Sequence, residues 1–351
     1  MKIAQISHLW ESVPPKQYGG TERVISYLTE ELVRLGHDVT LFASGDSTTA
    51  ARLEAICPKA LRFSEGGLFT RDAFLVLLLE RVFGSAGQFD IIHSHLDFLG
   101  FPLARRCPTP VITTLHGKLG QPELKPIYWE YAELPLVSLS YAQRRPCPLA
   151  NWKANIHHGL PRNTYKFRPT PGKYLAFLGR ISPEKCPDAA IRLAERVTLP
   201  LHIAAKVDPV DDEYFHSTVA PFFSHPLIEY VGEISDEEKN DFLGNALAVV
   251  CPYQPEPFGL VLIEALACGT PVLTYHHGSF PEIIEDGVTG FLCRDLDEMI
   301  AAGDRLPQID RAECRRAFEM RFTVERMAKD YLHVYKQVVS EAQGIEERLS
   351  W

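Results

Sequence analysis

Two glutamates eight positions apart, Glu256 and Glu264, bracket a Pro257-Phe258-Gly259 turn and the apolar run Leu260-Val261-Leu262-Ile263. The chain continues Ala265-Leu266-Ala267-Cys268-Gly269-Thr270-Pro271-Val272. This pattern predicts a loop, a helix over 258–268 and a Gly-Thr-Pro turn into a strand. It places Glu256 in the loop and Glu264 about two turns into the helix. At the helix start the backbone N–H groups of Phe258, Gly259, Leu260 and Val261 are not used within the helix, and with the positive end of the helix dipole they favour an anion such as phosphate. A carboxylate accepts hydrogen bonds from sugar hydroxyls. One acid before a phosphate site and one after it suit a molecule with a sugar at each end of a diphosphate.

A second constellation supplies positive charge. Gly179-Arg180-Ile181-Ser182-Pro183-Glu184-Lys185 follows an apolar strand pattern at Tyr174–Leu178, so Arg180 and Lys185 are expected on a strand-to-helix turn. A departing diphosphate gains negative charge. A planar guanidinium and a point-charge ammonium both suit it where no metal does the work. Taken alone, such a turn also reads as a solvated basic loop.

The Glu256–Val272 string resembles the E-x7-E motif of retaining GT-B glycosyltransferases, and its wording is most similar to glycosyltransferase family 4. The Gly179–Lys185 stretch resembles the G-R-x-x-x-x-K segment of that family, with Cys186 where glycine often follows the lysine. The resemblance implies an α/β protein of GT-B fold, two Rossmann-like domains facing across an interdomain cleft. It implies that Glu264 binds the ribose and Glu256 the donor hexose, while Arg180 and Lys185 hold the diphosphate. Backbone near Ile234, in Val231-Gly232-Glu233-Ile234, is implied to read the nucleobase edge. Gly19 and Gly20, in Tyr18-Gly19-Gly20-Thr21 before the first helix, are implied to approach the distal phosphate; two glycines there admit a close backbone approach. His116, ending a strand in Thr113-Thr114-Leu115-His116-Gly117, is implied to sit against the hexose, where it can donate to a sugar hydroxyl. No cofactor or metal is implied beyond the nucleotide diphosphate sugar itself, UDP-glucose first and GDP-mannose second. The resemblance implies an acceptor hydroxyl on a sugar, a small molecule or a glycolipid. A family 4 enzyme would retain the α configuration of the donor.

Two other readings stay open. A sugar-nucleotide epimerase shares the two-domain architecture, and would release nucleotide diphosphate without an acceptor. A metal hydrolase could use His93-Ser94-His95, whose side chains point the same way from a strand, with Asp97 close behind. The aromatic segment Gln121–Tyr131 reads equally as an acceptor platform or as core packing.

The elements that must position these residues alternate. Strand patterns at Lys2–Ser7, Asp38–Ala43, Asp90–Ser94, Pro110–Leu115, Leu136–Ser140 and Ala154–His157 are interleaved with helical ones at Thr21–Leu35 and Thr70–Phe83. A proline-rich connector spans Leu160–Gly172. Strand patterns restart at Tyr174–Leu178, Leu201–Ala205, Ile228–Val231, Ala248–Cys251, Val272–Thr274 and Gly290–Cys293, with helices at Asp236–Leu247 and Phe258–Cys268. Such alternation indicates parallel sheets wrapped by helices, which bind ligands beyond the carboxyl ends of their strands. The boundaries expected are 1–160 for an acceptor domain and 161–322 for a donor domain. A long helix over about 323–351 is expected to return to the first of these, by resemblance.

Composition narrows the classes. The 351 residues are 46% hydrophobic, enough for two cores. A formal net charge of −9 argues against nucleic acid. Residues 1–160 carry 16 basic and 15 acidic side chains and the remainder 20 and 30, so the acidity lies in the second half and no strong basic footing for a membrane exists. Eight scattered cysteines without a C-x-x-C pair point to free thiols and a cytoplasmic setting. The N-terminus reads as a strand rather than a signal peptide, and no apolar run is long enough for a transmembrane span.

Overall fold

A computed structural model describes residues 1–16, 19–63 and 67–349. It contains two parallel sheets, each in its own compact unit. One unit comprises Met1–Gly159 together with the chain from Val324 onward; the other is Leu160–Thr323.

In the first unit the strands are β1 (Lys2–Ile6), β2 (Asp38–Ala43), β3 (Arg52–Ala55), β4 (Ile91–Ser94), β5 (Val111–Thr114), β6 (Leu136–Ser138) and β7 (Trp152–Asn155). Their order is β3-β2-β1-β4-β5-β6-β7, every pair parallel. Central strands such as Ile3-Ala4-Gln5-Ile6 are buried on both faces, which is why they read as near-continuous apolar runs. The strand β3 is absent from the sequence reading. Arg52-Leu53-Glu54-Ala55 is a half-exposed edge strand, and its alternating charges hide it.

Helices cover both faces. The Gly20–Arg34 helix buries Val24, Ile25, Leu28 and Leu32, a stripe at helical spacing. The Val324–Leu349 helix buries Met327, Ala328, Tyr331, Val334, Tyr335 and Val338 and packs within this unit against that first helix and β5.

The second unit holds β8 (Leu175–Ile181), β9 (Leu201–Val207), β10 (Ile228–Gly232), β11 (Ala248–Cys251), β12 (Val272–Tyr275) and β13 (Gly290–Cys293). The order β10-β9-β8-β11-β12-β13 is again all parallel. Both sheets reverse strand order at one point, between β1 and β4 in the first and between β8 and β11 in the second. In open parallel sheets the crevice beyond the strand ends at that reversal is where ligands bind.

Several boundaries differ from expectation. The strand β8 runs to Ile181, so Arg180 stands in the strand and not on the turn; only Lys185 lies in the turn. The helix after the E-x7-E loop starts at Leu260, capped by Gly259, which puts Glu264 at its fifth residue rather than two turns in. The Asp236 helix stops at Gly244, three residues early, with Asn245 as its C-cap. Among the described residues no helix is long and apolar enough to cross a membrane.

Candidate active site

In the second unit the site grows from the ends of β8 and β11. Gln254 N–H donates to the carbonyl of Glu184 at 2.8 Å, tying the loop after β11 to the turn after β8. That tie brings Glu256 to Lys185, and the two form an ion pair in which each side chain is less than one-fifth exposed. Lys185 Nζ also lies 4.3 Å from the centroid of the Tyr253 ring, a cation–π contact, and the Tyr253 hydroxyl is anchored to the Leu178 carbonyl. Arg180 Nη1 reaches Asp208 Oδ2 at 3.3 Å, and Lys206 reaches the other oxygen at 2.9 Å. Partial burial pushes the Asp208 carboxyl up, but hydrogen bonds from Lys206 and Arg180 outweigh it and hold the group below its usual range. Arg180 and Lys185, expected as neighbours on one turn, are thus each held by separate carboxylates.

The loop carrying Glu256 is braced from behind. Gly278 has φ +56, and a Cβ there would lie 3.1 Å from both Glu256 N and Pro255 Cα. The buried Ser279 hydroxyl donates to the Phe258 carbonyl. Gly259 opens the helix with φ 148, a conformation closed to side chains. Leu260 and Val261 follow at the first turn, half-buried, where their N–H groups have no acceptor within the helix.

One turn further, Glu264 is 2% exposed. Its Oε1 accepts from the Tyr165 hydroxyl at 2.8 Å and lies 3.5 Å from Lys239 Nζ. The protein's own side chains hold this carboxylate, which sequence alone does not indicate. Lys239 sits on the helix after Ile234, a helix closed by a capping box between Ser235 and Glu238. Ile234 itself is half-buried in the loop between Gly232, at φ +82, and that cap.

Cys186, in place of the usual glycine, takes a left-handed conformation at φ 49, ψ 50 as the cap of the Pro187–Val197 helix. The backbone demands the conformation glycine prefers, and the cysteine bears its cost.

In the first unit, Gly19 precedes the Gly20–Arg34 helix, and a Cβ on it would meet Pro15 Cβ at 2.6 Å. Tyr18, beside it, lies outside the described residues. Glu22 in the first turn of that helix went unnoticed in the sequence. Burial, with Glu11 nearby, raises its pKa to about 7.

His116 follows β5. Its backbone N–H donates to Asp97 Oδ1 at 2.9 Å, and its ring stacks on His158 with centroids 5.6 Å apart. Its Nε2 lies 2.9 Å from His95 Nδ1. Burial pushes the His116 pKa down to about 3, and holds His93, His95 and His158 well below their ordinary value. Both ring nitrogens of His93 are engaged, with the Tyr335 hydroxyl at 2.6 Å and Thr114 Oγ1 at 2.8 Å. That leaves the His93/His95 pair no ligand geometry. Among the described residues no group of three or more His, Cys, Asp or Glu side chains could hold a metal ion. The aromatic segment divides: Tyr128 is core, edge-on to Phe101, whereas Trp129 is 67% exposed. Gln5, His158, Tyr165, Asp208, Tyr253 and Tyr335 were missed, because each takes its place by contacts between residues remote in the chain.

Comparisons with known proteins bear on the family and the fold. Residues 18–180 match the family model described as Glycosyltransferase Family 4, and residues 165–306 match that of glycosyl transferases group 1. An uncharacterized glycosyltransferase of Methanocaldococcus jannaschii is 27% identical over 334 residues, 83% of this chain and 84% of that protein. Among solved structures, AviGT4, a glycosyltransferase involved in avilamycin A biosynthesis, superposes with a TM-score of 0.71 at 24% identity, covering 97% of this chain and 98% of its own. Anabaena HepE, solved with UDP and glucose, gives 0.72 at 20% identity, covering 96% and 100%.

Proposed function

We propose that this chain, which belongs to the GT-B glycosyltransferases of the family 4 type, moves a hexose from a nucleotide diphosphate sugar to an acceptor hydroxyl with retention of the α configuration and without a divalent metal. The observation that carries the reading is the joining of the two acids of the E-x7-E string to the cationic turn: Glu256 paired with Lys185, and Glu264 preset by Tyr165 a helix turn beyond a glycine-capped N-terminus.

In this reading Glu264 accepts from the ribose hydroxyls through Oε2, since Oε1 is already engaged. The backbone of Phe258, Gly259, Leu260 and Val261 meets a phosphate, and Ile234 lies along the base. Arg180 and Lys185 take up the charge that develops on the leaving diphosphate. Lys185 has three donors and spends one on Glu256, which holds the ammonium in place for the phosphate. Glu256, held in turn by Lys185, binds hydroxyls near the reacting carbon. From the first unit, His116 meets the hexose, and Gly19 and Gly20 admit the distal phosphate. The acceptor oxygen attacks from the face the diphosphate leaves, the C1–O bond to phosphate breaks as the new C1–O bond forms, and the phosphate oxygen takes the acceptor proton. No protein nucleophile is required.

UDP-glucose is the donor we favour, supported by the fold-level similarity to a protein solved with UDP and glucose. A thermal-shift panel of UDP, GDP and ADP with their glucose or mannose esters tests this. A ligand at about one hundred times its Kd stabilises the folded state by roughly 2.7 kcal/mol, a clear rise in Tm. A rise with the guanosine compounds alone would replace the donor by GDP-mannose. No rise with any of them would overturn the reading.

A further inference from the structure

We propose that His95, oriented by Gln5, is a positioning residue that fixes His116 in the tautomer with its proton on Nε2, so that His116 presents a bare Nδ1 and accepts a hydrogen bond from a donor-sugar hydroxyl. This rests on the reading that His116 meets the hexose, and it reverses the polarity expected from sequence, where His116 donates.

The hydrogen-bonded chain that ends at His116 begins at one buried amide. Gln5 is wholly buried on β1. Its Oε1 can only accept, so His95 Nε2, 3.0 Å away, carries a proton. His95 is buried and neutral, and a neutral imidazole has one N–H; its Nδ1 is therefore an acceptor. The partner of that Nδ1 is His116 Nε2 at 2.9 Å, which must donate. His116 is neutral as well, so its Nδ1 bears no proton, and that atom bonds to no described residue.

The other end of the amide runs the opposite way. Gln5 Nε2 donates to the Tyr335 hydroxyl at 3.0 Å. The one phenolic proton of Tyr335 goes to His93 Nδ1, and His93 Nε2–H goes to Thr114 Oγ1. Gln5 Nε2 also lies 3.4 Å from His93 Nδ1, an acceptor in this arrangement, and the C-terminal helix supplies Tyr335 as the anchor. Turning the amide over would reverse these bonds, make His116 Nε2 the acceptor and put the proton of His116 on Nδ1. Two more contacts hold the ring where Nδ1 can be used: the backbone bond to Asp97 and the stack on His158.

The test is the ring-nitrogen NMR spectrum of the full chain labelled with 15N-histidine at about pH 7.5, with the His116 signals assigned by difference from His116→Gln. Expected is a protonated Nε2 and a pyridine-like Nδ1; a protonated Nδ1 overturns the proposal. His95→Phe and Gln5→Met should each lower kcat about tenfold, the worth of one hydrogen bond, with nucleoside diphosphate affinity unchanged. Unchanged kcat in both, or equal loss of kcat and affinity, also overturns it. Should those variants fold poorly, the wild-type spectrum decides by itself. His116→Ala separates the two layers. Full turnover in that variant removes the reading of His116 altogether. Loss of turnover there, with no effect of His95→Phe or Gln5→Met, keeps that reading and sinks the relay.

Discussion

The first unit should lose stability steeply under mild acid, because four buried histidines are kept neutral by its fold. Burial is the leading cause for His93, His95, His116 and His158, and it takes His116 to about 3. In the unfolded chain each takes up a proton near its ordinary value of about 6.5. These are bases whose folded pKa is depressed, so below that value the unfolded state binds more protons and stability falls as pH falls. Each contributes a loss of about 1.4 kcal/mol per pH unit. Glu22 opposes them. Its folded pKa is raised to about 7, so from there down to its ordinary 4.5 it takes up a proton in the folded state alone. Burial lowers His8, which adds to the loss, and raises Asp97, which works against it. The four histidines less Glu22 leave about three protons in favour of the unfolded chain, or roughly 4 kcal/mol lost per unit between about pH 6 and 5. Against a typical stability of about 5–15 kcal/mol, that loss removes from about a quarter to about four-fifths of the margin by about pH 5. The assay is convenient: Trp10, Trp129, Trp152 and Trp351 all fall in the first unit's sequence, so tryptophan fluorescence in urea reports that unit alone. His158→Phe should shallow the slope by about one proton. A slope below about 1.4 kcal/mol per pH unit in the unaltered chain would refute the reasoning.

Three further outcomes follow from single contacts. Glu264→Gln keeps the Tyr165 bond but loses the charge, so UDP affinity measured by calorimetry should fall about tenfold or more with the circular dichroism spectrum unchanged; equal affinity would remove Glu264 from the nucleotide site. Gly278→Ala pushes on the Pro255–Glu256 backbone and should cut turnover at least about tenfold by misplacing Glu256, with steady-state kinetics as the readout and unchanged kcat as the contrary result. Thr198, exposed at the end of the Pro187–Val197 helix with φ 54, should be replaceable by glycine with a gain of about 0.5–1 kcal/mol in urea unfolding, since a β-branched residue is costly there; a loss of stability would show that the strain was misjudged.

Much of the site was legible where chemistry is local in sequence. The Glu256–Val272 string sits on one loop and one helix, and the alternation of strands pointed to two parallel sheets. What escaped the reading depends on contacts between remote residues. Lys185 and Glu256 stand 71 positions apart and meet only because Gln254 ties its loop to Glu184. Gln5 and Tyr335 are 330 apart, so the sequence offers His93 and His95 only as a strand pair and His116 apart from them, where the structure links all three through Gln5 in one hydrogen-bonded column. Arg180 was misplaced onto the turn because β8 continues three residues past its apolar stretch, through Gly179 and Arg180 to Ile181. Cys186 shows the reverse case: the residue type hides a left-handed backbone that glycine would have announced.

The central claim, metal-free hexosyl transfer with retention, can be tested before the acceptor is identified by letting water take its place. The protein is incubated with UDP-α-glucose carrying 13C at C1, in excess EDTA, and the first-formed sugar is followed by NMR ahead of mutarotation. The account predicts UDP release with α-glucose appearing first, and loss of both in Lys185→Ala. The β anomer appearing first, or release that requires added manganese, would contradict it.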